Sequence, residues 1–222
     1  EREVCLFILF QDTPSLQFGS GPHSKREGLL ELAALVMLLG AVNRDRVGLI
    51  YASPSEYVFR RPVPGRQAIL HSASTLIGRP APDFEGPAQA QIPWRFLARA
   101  APRHSIFIWF GDFPPDPEPE GWTVIKRRYE AMGFRIEDPW ERELPRAGAL
   151  PIYDPVSASL AVVDTRTSSH RTAHAGWVER RDRQFEELFP DPANRLTLST
   201  REEPIDAMVS FFHRRLKKPF GS

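Results

Sequence analysis

Short continuous runs of hydrophobic residues alternate along the chain with longer segments in which hydrophobic residues recur every three or four positions. Residues 5–10, 47–52 and 105–110 are continuous runs, which are typical of strands buried on both faces. Residues 25–43 have the helical spacing and a broad hydrophobic face. This alternation predicts βαβ units, a largely parallel sheet and helices on both of its faces.

The remaining pattern predicts shorter elements. Helices are expected at residues 67–77, 92–101, 122–132, 172–189 and 204–216, and strands at residues 57–61, 134–136 and 196–199. Gly133 is expected to cap the helix before it. Residues 150–154 and 160–164 flank a turn at 155–159 and predict a β-hairpin. The hydrophobic faces of two helices are assigned to Trp94, Phe96 and Leu97, and to Ile205, Met208, Val209, Phe211 and Phe212.

Composition narrows the class of protein. The 222 residues carry 29 Lys and Arg against 28 Asp and Glu, so total charge does not favour a nucleic acid or an anionic membrane as partner. One cysteine, Cys5, excludes an internal disulfide and fits a reducing compartment. No linker or repeat interrupts the pattern, which predicts one domain over residues 1–222, with its core at 4–216. The longest hydrophobic stretch, residues 29–42, is too short to cross a bilayer.

Four short segments resemble one family. Residues 11–20 read QDTPSLQFGS and are similar to its Asp-x-Ser-x-Ser-Met-x-Phe-Gly loop. Residues 45–49 read DRVGL and resemble its Gly-Asp-Arg-Val-Gly-Leu segment, and residues 111–113, GDF, resemble its Ser-Asp-Phe. Residues 138–145, DPWERELP, are similar to its Asp-Pro-x-Glu-x-x-Leu-Pro segment. The family is the bacterial domain of unknown function 58 group, and the resemblance runs from residue 5 to residue 215.

That family has a von Willebrand factor A-like fold. The resemblance therefore implies a three-layer α/β/α, Rossmann-like domain with a mostly parallel sheet and an added hairpin at residues 150–164. In von Willebrand factor A domains, a first loop, a Thr loop and an Asp loop bind a divalent cation. Mg²⁺ takes oxygen ligands in octahedral geometry, usually including one or two carboxylates.

The resemblance also places residues at the metal-binding positions. Gln11 stands where the first-loop Asp would be, and Thr13 and Ser15 stand at the two Ser positions. Ala88 falls at the Thr-loop position, and Asp112 keeps the Asp-loop position. Because a neutral amide replaces a carboxylate, affinity for a dication should fall sharply. The resemblance thus implies a degenerate metal site without a cofactor, with weak Mg²⁺ binding as the alternative.

Asp12 is expected not to compensate for the carboxylate that is missing at Gln11, since alternation along an extended strand points Asp12 to the side opposite Gln11.

His170 and His174 are spaced as a metal-binding pair on a helix, but the helix is expected to start only near Thr172, which favours a solvated loop. Asp138, Glu141 and Glu143 are interpreted as a surface turn. Three groups of basic residues are interpreted as solvated faces, and a docking face for an acidic partner stays open as the alternative. The groups are Arg60, Arg61 and Arg66; Arg180, Arg181 and Arg183; and Arg214, Arg215, Lys217 and Lys218.

The expected function is protein binding without catalysis. The resemblance implies work alongside a MoxR-type AAA+ ATPase, as an adaptor or partner in the assembly or maturation of other complexes. Partner contact is expected at Gln11 to Ser15 and at the loops of residues 78–87 and 112–121. Two alternatives stay open, a metal-dependent binding domain that uses Asp112, Ser15 and Thr13, and a hydrolase that uses Asp112 with the acids of residues 138–143. A cytoplasmic location is expected, and because the chain starts at Glu1 without a methionine, a tether to the inner membrane through a further region stays open.

Overall fold

A mostly parallel sheet of six strands is the centre of the fold. The computed structural model describes residues 4–85, 87–154 and 159–216. Its strands are β1 (Cys5–Gln11), β2 (Arg46–Ala52), β3 (Tyr57–Val63), β4 (Ile106–Phe110), β5 (Glu130–Glu137) and β8 (Arg195–Ser199). They lie in the order β3-β2-β1-β4-β5-β8, and all neighbours are parallel except β2 and β3. A separate antiparallel hairpin consists of β6 (Ala149–Asp154) and β7 (Ser159–Asp164).

Strand β1 lies in the middle of the sheet, as its continuous hydrophobic run predicts. Leu9 pairs with Ile50 of β2 on one side and with Trp109 of β4 on the other. Phe7 and Leu9 belong to the hydrophobic core on one face, and Ile8 and Phe10 belong to the core on the opposite face. Burial on both faces explains why this strand has no polar alternation.

Helices cover both faces and complete three layers. They are α1 (Lys25–Val42), α2 (Arg66–Ile77), α3 (Trp94–Leu97), α4 (Trp122–Arg128), α5 (Pro139–Arg142), α6 (Ser168–Leu188) and α7 (Pro204–Leu216). Side chains of α1, α2 and α7 join one core, and side chains of α3, α4 and α6 join the other. Ser24 starts α1 with a reciprocal capping box to Glu27. Among the described residues, no helix combines the length and hydrophobicity needed to cross a bilayer.

The predicted helix 122–132 is wrong in its second half. Helix α4 ends at Arg128, and β5 begins at Glu130 and contains Gly133. Gly133 is therefore a strand residue, not a helix cap. A Cβ built on Gly133 would lie only 2.2 Å from the ring of Phe189. Pairing with β4 and the close packing of this ring override the helix-favouring composition of the segment.

Two predicted hydrophobic faces are also partly wrong. Helix α3 spans one turn rather than residues 92–101, and Phe96 is 43% exposed. In α7, Met208 and Phe211 are buried, but Ile205 and Val209 are about half exposed. The predicted hairpin is confirmed, although residues 155–158 of its turn lie outside the described residues.

Candidate functional site

The candidate site lies where β1 and β4 end and α1 begins. Two parallel strands that end side by side bring their following loops together, and the N-terminus of α1 packs beside both. The first loop continues from Gln11 through a short 3₁₀ turn at Pro14–Gln17, and the second starts at Gly111. The strand ends thus bring together three of the predicted site residues, Thr13, Ser15 and Asp112.

These three residues form a small polar group. The hydroxyl oxygens of Thr13 and Ser15 are 3.0 Å apart. The Ser15 hydroxyl also hydrogen-bonds the Asp112 carboxyl and helps to lower its pKa. The oxygen atoms that the sequence places at metal-binding positions are therefore close together in space.

Gln11 points away from this group. Its Oε1 accepts a hydrogen bond of 2.8 Å from the Trp109 indole nitrogen. It lines a shallow cavity of about 250 Å³ together with Trp109, Phe113 and the loop residues Gln89 and Ala90. Ala88, next to them, is half-buried and offers no side-chain oxygen. Neither the Gln11 nor the Ala88 side chain meets Asp112 as a metal ligand would.

A lysine occupies the centre of the site. The Lys25 ammonium nitrogen lies 2.7 Å from Asp112 Oδ1 and 2.6 Å from Glu141 Oε1. The Lys25 side chain is fully buried. A single positive charge is therefore shared between two carboxylates inside the protein.

The pKa values of the two acids that share the ammonium shift in opposite directions. Burial opposes ionisation of Asp112, but the charges of Lys25 and Arg181 outweigh it and hold the pKa of Asp112 below its ordinary value. Burial raises the pKa of Glu141, and the neighbouring charge of Asp112 adds to this rise. For Lys25, burial disfavours the charged form, but the two carboxylates together raise its pKa.

Asp12 forms a second buried ion pair beside the first. Arg26 Nε lies 3.0 and 3.1 Å from the two Asp12 oxygens, and its Nη2 donates to Asp12 Oδ2 at 2.8 Å. The Tyr51 hydroxyl also donates to Oδ2 at 3.0 Å. Asp12 and Gln11 therefore point to opposite sides of β1, as the alternation predicts, and the Asp12 carboxylate is already saturated.

The donor set does not fit a divalent cation. A dication at Asp112 would have to displace a buried ammonium, and one at Asp12 would have to displace a guanidinium. The Gln11 carbonyl oxygen already accepts from Trp109. Among the described residues, no group of three His, Cys, Asp or Glu side chains could hold a metal ion.

Ion pairs extend from the lysine to α6 and correct the interpretation of Arg181. Arg181 is 1% exposed and lies 2.5 Å from Glu137 Oε1, so it is part of the interior rather than a solvated face. Arg135 bonds Asp182 at 2.7 Å. This network fixes α6 against the end of β5.

The interpretation of residues 138–143 as a surface turn fits Trp140, Arg142 and Glu143, which are exposed, but not Asp138. Asp138 is fully buried, and its carboxylate accepts hydrogen bonds from the backbone N–H groups of Ser20 and Trp140 and from the Thr200 hydroxyl. These bonds tie three loops together, and they lower the Asp138 pKa despite burial. Asp138 is engaged in holding the loops, and Glu141 is held by Lys25.

The histidine pair and the last basic group, which the sequence also singled out, do not come together in one site among the described residues. Helix α6 starts at Ser168, before His170, so His170 and His174 do lie on one helix. His170 Nδ1 contacts the Asp164 carbonyl oxygen, whereas His174 stacks near Trp177. Arg215 pairs with Glu130, and Lys217 and Lys218 lie outside the described residues.

Sequence reasoning missed Lys25 and Arg26, although one signal marks them. Both are cations in the first turn of α1, where the helix dipole favours acidic side chains. Two adjacent cations at this position are unfavourable unless carboxylates face them. The violation of the dipole rule is therefore a sign of a buried acidic partner.

The fold and the charged cluster define the structural class of this protein. The molecule is a three-layer α/β protein with a mostly parallel sheet, compatible with a Rossmann-like fold, and it has a charged cluster at the carboxyl ends of its strands. Comparison with family models then matches residues 1–184 to "Protein of unknown function DUF58". The chain belongs to this family. A search of curated protein sequences gives no match.

Solved structures share the fold at low sequence identity. The conserved hypothetical protein BatB from Bacteroides thetaiotaomicron has a TM-score of 0.54 and 11% identity, covering 97% of this chain and 100% of that one. An aerotolerance-related membrane protein from Bacteroides fragilis has a TM-score of 0.54 and 10% identity with the same coverage. Proximal thread matrix protein 1 from the mussel byssus has a TM-score of 0.51 and 9% identity, covering 94% of this chain and 45% of that one.

Proposed function

We propose that the chain is a non-enzymatic protein-interaction module of the von Willebrand factor A type, whose loop face binds a protein partner without a bridging metal ion. The loop face consists of Gln11 to Ser15 and the loops of residues 78–87 and 112–121. The proposed partner is a MoxR-type AAA+ ATPase, with the chain acting in the cytoplasm as its adaptor in complex assembly or maturation. The observation that carries the proposal is the Lys25 ammonium bound to Asp112 at 2.7 Å.

The lysine supports metal-independent binding for an electrostatic reason. A divalent ion at Asp112 would have to move Lys25 away from two carboxylates and strand its charge in the interior. Leaving a buried charge without its partner costs about 3–5 kcal/mol. The retained oxygens of Thr13 and Ser15 are neutral and add little charge to attract the ion.

The surface of the loop face supports protein recognition. Phe18 is 40% exposed beside the first loop, and the lining of the cavity next to Gln11 combines aromatic Trp109 and Phe113 with polar Gln89 and Asp116. A mixture of aromatic and polar side chains is typical of a protein-binding patch. The carboxylates behind this surface are engaged in ion pairs, which leaves them unsuited to acid–base chemistry.

Calorimetry on the chain alone tests the proposal that the loop face holds no metal ion. The chain is stripped with a chelator and titrated with Mg²⁺ and with Mn²⁺, and its melting temperature is recorded with and without each ion. We expect no saturable heat and no shift in melting temperature. A saturable heat that Asp112→Asn abolishes would overturn this part in favour of the metal-dependent alternative.

Binding to a MoxR-type ATPase from the same genome tests the partner. The immobilised chain should capture the ATPase, and Asp116→Arg on the loop face should weaken capture at least about tenfold because it reverses a charge at the contact. The matched control is Glu31→Arg on the outer surface of α1, which should bind as wild type. Absence of capture, or equal loss in both variants, would contradict the proposal.

A further inference from the structure

A second surface, which adjoins the loop face at Gly121, concentrates positive charge. A groove of about 760 Å³ runs between α3 and α4, and we call it the basic groove. Its lining includes six basic side chains, which are Arg95, Arg99, Arg103, His104, Arg127 and Arg128. None of the described residues that line it is acidic. In a chain whose total charge is only +1, this is a strong local excess.

Most of this charge has no partner in the fold. Arg95 pairs with Glu120 at 2.7 Å on the exposed edge of the groove, and Arg128 donates to the Tyr129 hydroxyl and the Ala101 carbonyl oxygen. Within residues 4–85, 87–154 and 159–216, no carboxylate lies at ion-pair distance from Arg99, Arg103 or Arg127. These three side chains are exposed. Uncompensated charges in a concave site focus the field and attract an oppositely charged ligand.

The floor of the groove is hydrophobic. Trp94, Ala98 and Val124 lie between the basic side chains, and Val124 is 52% exposed. The Trp94 ring already makes edge contacts with Trp109 and Trp122, at centroid distances of 4.8 and 5.8 Å. The half-buried ring is therefore held against the core and does not stand free as a platform on which bases could stack.

From these observations we infer that the basic groove binds an acidic peptide segment of a partner protein. Carboxylates of the peptide pair with the unpartnered arginines, and a hydrophobic residue between them covers Val124 and Ala98. Charge complementarity selects an anion, and a hydrophobic floor whose Trp94 ring is held against the core favours a peptide over a nucleic acid. A concave groove also suits a peptide better than a flat lipid surface. The inference is independent of the ATPase and of the loop face.

A labelled probe peptide tests the inference directly. The probe is a short fluorescein-labelled peptide of glutamates around a central Leu-Leu pair, and its binding to the full chain is followed by fluorescence anisotropy. The groove variant is Arg99→Glu/Arg103→Glu/Arg127→Glu, and the matched control is Arg180→Glu/Arg183→Glu/Arg201→Glu, which reverses three exposed arginines elsewhere. We expect the groove variant to bind at least about tenfold more weakly, the control to stay within about twofold of wild type, and affinity to fall as salt rises.

Three further probes test whether the basic groove prefers another kind of ligand. An all-glutamate peptide of equal length should bind more weakly than the probe, because it leaves the hydrophobic floor uncovered. An oligothymidylate and phosphatidylserine vesicles should bind more weakly than the probe as well. Equal loss in the groove and control variants, or tighter binding of the oligothymidylate or the vesicles, would overturn the inference. Failure here leaves the loop-face proposal unaffected, since Asp116 lies outside the groove lining.

Discussion

The cluster around Lys25 and the basic groove use the same type of charge in opposite ways. Lys25 is fully buried and lies within 2.7 Å of two carboxylates, whereas Arg99, Arg103 and Arg127 are exposed and line a groove without acids. A buried cation is stable only with partners in the fold. An exposed, unpartnered cation costs the fold little and is free to meet a ligand. The comparison separates charges that hold the structure from charges that are free for recognition.

The largest expected effect comes from removing the buried cation. Lys25→Met should lower the free energy of unfolding by about 3–5 kcal/mol, because Asp112 and Glu141 then face each other without the shared ammonium. Urea denaturation measures it. The matched control, Lys126→Met, removes a lysine that pairs with Glu118 near the surface and should cost less than about 1 kcal/mol.

Neutralising Asp112 and Glu141 as well should restore much of the free energy of unfolding that Lys25→Met loses. In Lys25→Met/Asp112→Asn/Glu141→Gln the two acids that faced Lys25 are neutral, so we expect the variant to recover more than half of the lost free energy. Equal destabilisation by the two Lys→Met changes would show that the buried cation does not hold the structure.

A smaller effect is expected on acidification. The pKa of Asp112 is lower in the folded state than its ordinary 3.8, so its stabilisation is present above pH 3.8 and is lost as the pH falls through the lower folded value. Glu141, whose pKa is raised, contributes in the opposite sense, since its stabilisation is present at low pH and is lost as the pH rises. Asp112→Asn should therefore lose less stability than wild type between neutral pH and about pH 3.

Urea midpoints at the two pH values measure this difference. Asp116→Asn, which removes an exposed carboxylate outside the cluster, serves as the control and should follow the wild-type pH dependence. An Asp112→Asn variant that loses as much stability as wild type would show that Asp112 is not a source of acid sensitivity.

The smallest expected effect is on the groove. Arg99→Glu/Arg103→Glu/Arg127→Glu should change the free energy of unfolding by no more than about 0.5 kcal/mol per substitution, because these side chains are exposed and unpaired. The same urea measurement applies. A loss approaching that of Lys25→Met would remove the distinction between the two regions.

Patterns of local sequence predict the centre of the fold well and its less regular parts poorly. Strands β1, β2 and β4 and helix α1 follow from hydrophobic runs and helical spacing. The boundary between α4 and β5 does not, because neither glycine nor proline separates Arg128 from Glu130, and the strand forms through pairing with β4. The short α3 and the exposed Ile205 similarly depend on which neighbours are present.

The candidate site was likewise predictable from the sequence only in part. The meeting of Thr13, Ser15 and Asp112 follows from parallel strands that end side by side. The role of Lys25 depends on Glu141, which is distant along the chain, so spacing alone could not assign it. The basic groove was missed because its arginines come from separate short segments rather than from one basic run.

Phe113 anchors the start of the second loop to the core. It follows Asp112 directly, has a positive φ of 49°, and packs its buried ring 4.7 Å from Trp109 and 4.8 Å from Phe185. This left-handed backbone costs a non-glycine residue about 1–2 kcal/mol, which the aromatic contacts offset. Under the proposed function, a partner at the loop face would therefore have to match a loop whose start is already fixed, so selectivity would rest on complementarity of shape.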